Sequence, residues 1–128
     1  MAYPYRKFIK PRLGTPLNKG HRLSKGLVGC WLMNEGCGGE VFDLSGNKNT
    51  GTLSGDTAWA AGKHGSCLSF DGNGDYVTLA GRQFYGQFTI SALVRSTTGD
   101  TGVNQYIFSQ MYSSTYPSVA LYWRSDWI

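Results

Sequence analysis

Cys67-Leu68-Ser69-Phe70, then Asp71-Gly72-Asn73-Gly74-Asp75, then Tyr76-Val77-Thr78-Leu79 is the stretch on which the fold turns. Two short runs of strand-forming residues flank five residues of Asp, Asn and Gly, the composition of a tight connection between antiparallel strands. The expectation is a β-hairpin with 67–70 and 76–79 as its arms. Similar short runs lie on either side. Leu27–Met33, Thr50–Leu53, Gln105–Gln110 and Ser118–Trp123 read as strands. Gln87–Arg95 alternates, with Phe88, Ile90, Ala92 and Val94 on one face and Thr89, Ser91 and Arg95 on the other, as a half-buried strand does. Between them, Asn34–Gly39, Asp43–Asn49 and Trp59–Gly65 read as loops. Seven short strands with turn signals between them predict an all-β sandwich.

Composition agrees. The chain has 128 residues, enough for one domain that buries roughly two-thirds of its unfolded surface. Hydrophobic residues make up 41% and charged residues 16%, and 18 glycines accompany only two glutamates. That balance excludes helix bundles, coiled coils and disorder. No apolar run reaches the ~18 residues of a membrane span. The net charge of +4 is unevenly spread: residues 1–25 hold seven Lys/Arg and no acid, so the rest is mildly acidic. Three of the four prolines, Pro4, Pro11 and Pro16, fall in the same stretch. Residues 1–25 therefore read as a basic arm, and residues 26–128 as the β-domain. The simplest reading of the arm is a solvated terminus, yet Tyr3, Tyr5, Phe8, Ile9 and Leu13 also suit a course along the body's surface. Its early cations interrupt any apolar core of a secretory signal. Cys30, Cys37 and Cys67 are an odd set without zinc spacing, which favours free thiols.

Nine short pieces in order carry a resemblance. They are Gly-Leu-Val-Gly-Cys-Trp (26–31), Asn-Glu-Gly (34–36), Val-Phe-Asp-Leu-Ser-Gly-Asn (41–47), Gly-Thr-Leu (51–53), Trp59 with Gly-Lys-His-Gly (62–65), Leu-Ser-Phe-Asp-Gly (68–72), Asp-Tyr-Val (75–77), Phe-Thr-Ile-Ser-Ala (88–92) and Ile-Phe-Ser-Gln (107–110). Together they resemble the laminin-G-like branch of the concanavalin A-like lectin/glucanase superfamily. The resemblance implies an antiparallel jelly-roll sandwich and a binding module more often than an enzyme. The basic lead-in looks like that of such domains in phage virion and surface proteins. Leu93 stands where the family usually has Trp, and only Arg124–Ile128 follow Leu121-Tyr122-Trp123, so the resemblance implies a partial, C-terminally shortened sandwich.

The residues that could carry chemistry are few. Glycoside hydrolysis needs paired carboxylates, and Glu35 and Glu40 sit beside a glycine loop without the clustered acids of a glucanase. Cys37 with His64 is a conceivable nucleophile–base pair that nothing in the sequence orients. The expectation is a non-enzyme. Asp71-x-Asn73-x-Asp75 sets oxygen ligands at alternate positions, as calcium loops begin, and many members of the superfamily hold structural calcium. The simpler reading is that Asp, Asn and Gly just make the turn, and the same holds more strongly for Asp43-x-Ser45-x-Asn47-x-Asn49. Carbohydrate binding would use exposed aromatics. Tyr112 and Tyr116, in the Ser/Thr-rich loop Met111–Ser118, are the candidates, with Tyr106, Tyr122, Trp123 and Trp127 nearby, whereas Trp31 and Trp59 suit the core.

These readings converge on a recognition module in a phage-like or surface structural protein, with glycan as the ligand class. A ligand-free virion decoration domain and a glycoside hydrolase remnant are the alternatives. The arm could dock on another virion or surface protein. Nucleic acid is not the expected partner, because stacking plus charge would rest on the arm alone.

Overall fold

The computed structural model describes residues 9–79, 86–96, 104–111 and 117–123. The chain forms two compact units, Met1–Arg82 and Gln83–Ile128. The fold is all-β with antiparallel pairing throughout its sheets, and among the described residues the one helical element is a 3-10 turn at Arg22–Ser24.

In the first unit β1 (Glu40–Val41), β2 (Gly51–Ser54) and β5 (Tyr76–Leu79) make a three-stranded sheet in the order β1-β2-β5. Its register puts Val41, Gly51 and Leu79 in one row and Leu53 opposite Val77. The period of two sends these residues to the inner face and Glu40, Thr52 and Thr78 outward. Val41 is 0% exposed and anchors the core. Gly51 is buried beside it because a Cβ there would lie 2.5 Å from Val77 Cγ1 and 2.7 Å from Val41 Cγ2. The missing side chain leaves room for a methyl of each valine close to the central strand.

β3 (Ala58–Gly62) and β4 (Gly65–Ser69) form a separate hairpin. Only Lys63 and His64 join Gly62 to Gly65, and Gly65 absorbs the turn with φ 114°. The strands at 67–70 and 76–79 are thus real, but they are not each other's partners. β4 pairs with β3, β5 pairs with β2, and Asp71–Asp75 is a corner between two sheets. Glycines at φ 87° (Gly72) and 79° (Gly74) serve a corner as well as a hairpin, so local composition did not discriminate. The segment 59–65, expected as a loop, is most of the actual hairpin.

Leu27–Met33 is no strand, and Met33 has a left-handed backbone with φ 51°. Among the described residues the segment's only ladder contact is an isolated bridge between Trp31 and Asp43. Side chains of the next loop satisfy its backbone instead. Asp43 Oδ1 accepts from the Cys30 and Ser45 N–H groups at 2.9 and 2.8 Å, and Oδ2 from the Ser45 hydroxyl and Asn49 N–H at 2.7 and 3.0 Å. Val28 O accepts from Asn47 Nδ2 and Asn49 Nδ2 at 3.0 and 2.8 Å. Trp31 Nε1 donates to Asn49 O at 2.7 Å, and the ring lies where a Cβ of Gly29 would be. The oxygen-rich loop 43–49 spends its polar atoms on the chain itself. Partial burial pushes the Asp43 carboxyl up, but the Ser45 hydroxyl and the N–H groups of Asn49, Ser45 and Cys30 outweigh it and hold its pKa below the usual carboxylate range.

In the second unit β6 (Gln105–Met111) pairs with β7 (Pro117–Trp123), with irregularities between Tyr106 and Phe108 and between Gln110 and Met111. Residues 87–95 are not a strand: the described residues 86–96 join no ladder, and Leu93 is 77% exposed. Alternation states which face a strand would bury; it does not supply the neighbour that makes it one.

A Gly51→Ala exchange should lower stability by about 1–3 kcal/mol through overpacking against Val41 and Val77. Urea denaturation measures it, and an unchanged midpoint would show that the row Val41–Gly51–Leu79 is not close-packed.

Candidate functional site: an acidic corner and an aromatic pair

The β2–β5 ladder ends at Ser54 opposite Tyr76. That last rung brings two corners together, Gly55–Asp56 after β2 and Asp71–Asp75 before β5. Gly55, with φ 74°, lies so close to the second corner that a Cβ would sit 2.5 Å from Asp75 Oδ1 and 2.6 Å from Gly74 O. Thr57 Oγ1 donates to Ser54 O at 2.6 Å and tightens the first corner. Three carboxylates then meet: Asp56, Asp71 and Asp75 each place an oxygen within 4.8 Å of the others.

The corner is held from within. The Asp71 N–H donates to Asp75 Oδ2 at 2.9 Å, and the Asn73 N–H donates to Asp71 Oδ1 at 2.6 Å, an Asx-turn. Asp75 Oδ1 is closed off from solvent and has no hydrogen-bond partner among the described residues. The Asp56 and Asp75 carboxyls lie close enough to share a hydrogen bond when one of them is protonated. That hydrogen bond, with the negative charges of Asp71 and Asp75, raises the Asp56 pKa, while the Asp71 N–H chiefly lowers that of Asp75. All the donor atoms on offer are carboxylate oxygens, the set a hard divalent cation prefers.

Of the residues expected to bind a metal, Asp71 and Asp75 lie in this corner, and Asn73 contributes the backbone N–H that shapes it. Asp56 carried no signal in its own neighbourhood; only the pairing of β2 with β5 makes it a neighbour of Asp71 and Asp75. The proposed sugar-binding Tyr112 and Tyr116 lie outside the described residues. Within them, Tyr106 and Tyr122 are register partners across β6 and β7, with ring centroids 5.6 Å apart and planes inclined at 52°. They are 54% and 47% exposed, so the pair offers aromatic surface to solvent. Trp31 and Trp59 are half-buried, and Trp59 Nε1 donates to Gly38 O at 2.8 Å. Glu35 serves the fold: its Oε1 accepts from the Phe42 N–H at 2.8 Å. Cys37 is exposed in the glycine loop, and all three cysteines are free. Burial, and then the Asp43 charge, raise the Cys30 pKa, which keeps that thiol protonated. The chain matches no family model, no curated protein and no solved structure.

The shifts at the corner have opposite consequences. Asp56, with its folded pKa raised, contributes stability in acid that is lost as pH rises through that pKa. Asp75, with its folded pKa lowered, contributes stability above the ordinary carboxylate range that is lost as pH falls through its lowered pKa. Replacing Asp56 by Asn should therefore raise the melting temperature at pH 7, where it removes a like charge, and leave it unchanged or lower near pH 3. Thermal melts across that range decide the matter; a destabilised variant at pH 7 would show that the Asp56 charge is compensated.

Proposed function

We propose that the protein is a non-catalytic recognition module that binds carbohydrate, built as a jelly-roll sandwich of the concanavalin A-like kind and working within a phage-like structural or surface protein. The observation that carries this reading is the exposed cross-strand pair Tyr106–Tyr122. Aromatic rings at a protein surface bind the apolar faces of sugars while water keeps their edges hydrated. The antiparallel all-β architecture is compatible with such a module. No helix among the described residues is long and apolar enough to cross a membrane.

Calcium fits the acidic corner as a structural ion. Asp56, Asp71 and Asp75 would hold it, and it would supply the positive charge that lets all three ionise together and tie the two corners.

A glycan array probed with the wild type and with Tyr106→Ala and Tyr122→Ala variants tests the main reading. We expect a defined set of retained glycans and a loss of about tenfold or more in affinity for either variant, the effect of removing one stacking ring worth ~1.4 kcal/mol. Retention of no glycan by a folded protein would favour the ligand-free decoration domain. Release of reducing ends from a polysaccharide would favour the hydrolase remnant. For the ion, millimolar calcium should raise the melting temperature of the wild type and not that of Asp71→Ala; equal melts in calcium and in chelator would leave the corner a plain turn.

A further inference from the structure

Lys10 belongs to the basic arm by sequence and to the body by its bonds. Its backbone N–H donates to His64 O at 3.0 Å, and its ammonium donates to Met33 O at 3.1 Å and to Ser66 O at 2.6 Å. At the next residue, Pro11 O accepts from Asn34 Nδ2 at 2.6 Å. These four bonds reach two separate stretches of the body, 33–34 and 64–66. An ammonium has three donors and is strongly hydrated in water, so giving two of them to carbonyls fixes the half-buried side chain in place.

Residues 12–14 meet the body through apolar surface instead. Arg12, Leu13 and Gly14 form one wall of a cavity of about 320 Å³, and Leu32, Phe42 and Leu44 line the other. Leu13 and Phe42 both keep about half of their surface in water, so this wall is not sealed by packing. The attachment of residues 10–14 therefore rests on directed polar bonds centred on one side chain. A segment held in that way opens by local rather than global unfolding.

We propose that residues 10–14 are a latch, locked by Lys10, which closes over the apolar surface of Leu32, Phe42 and Leu44 and can open while the β-sheets of the first unit stay folded. Opening exposes that surface and frees residues 10–14 from the body.

Limited trypsin digestion of the full chain, read by mass spectrometry, tests this. The Lys10–Pro11 bond resists trypsin, so a Lys10→Gln exchange removes no cleaved bond, and cleavage after Arg12 reports the latch. We expect about tenfold faster cleavage after Arg12 in Lys10→Gln, as local opening becomes easier, with an unchanged rate after Lys48 in the body. A Lys10→Arg variant, which keeps the charge and the donors, should stay near the wild-type rate. Two results would overturn the proposal: an unchanged rate after Arg12, or an equal rise at Arg12 and Lys48, which would make Lys10 a part of global stability.

Discussion

The Asp43 carboxylate is the constraint on which the first unit depends. Four hydrogen bonds to its two oxygens join residues 30, 43, 45 and 49, and they hold an extended segment that no strand pairs with. A backbone stretch like 27–31 must place its N–H and C=O groups somewhere. Here Asp43, Ser45, Asn47 and Asn49 take the role of a neighbouring strand. Asn49 is only 7% exposed, and its buried amide is satisfied by Val28 O. This polar frame leads straight into β1 through Phe42 and Val41, and Val41 begins the row that packs over Gly51. A small apolar core is thus extended on one side by charge-assisted hydrogen bonds, which are stronger than neutral ones.

The acidic corner depends on the same sheet. Asp56 and Asp75 are neighbours because β2 and β5 pair in a register that ends at Ser54 and Tyr76. Their proximity raises the pKa of Asp56, while the Asp71 N–H chiefly lowers that of Asp75, so the stability of the corner depends on pH. The aromatic pair of the second unit has a separate origin, the antiparallel register of β6 and β7.

Strand positions were legible where β-branched or aromatic residues cluster, as at 51–54, 76–79, 105–110 and 118–123. The loops at 34–39 and 43–49 were legible from Asp, Asn and Gly. Partnership was not. The stretch 67–79 contains two strands and a connection in either a hairpin or a corner, and only the pairing of 51–54 with 76–79 distinguishes them. Ala58–Gly62 was missed because alanine and glycine are poor strand formers; its register with Gly65–Ser69 makes it a strand. Residues 27–33 and 87–95 have strand-like composition without a ladder. For the acidic corner, Asp71 and Asp75 stood out through their spacing, whereas Asp56 is separated from them by two strands and is visible only in three dimensions.

The claim that Asp43 substitutes for a missing strand is tested most directly by native-state hydrogen exchange at the amides of Cys30, Ser45 and Asn49. These three N–H groups should be protected in the wild type although they lie outside every multi-residue ladder. In an Asp43→Asn variant their protection should fall selectively, while the β2–β5 amides keep theirs. Exchange of all three at the rate of open loops in the wild-type protein would contradict the account.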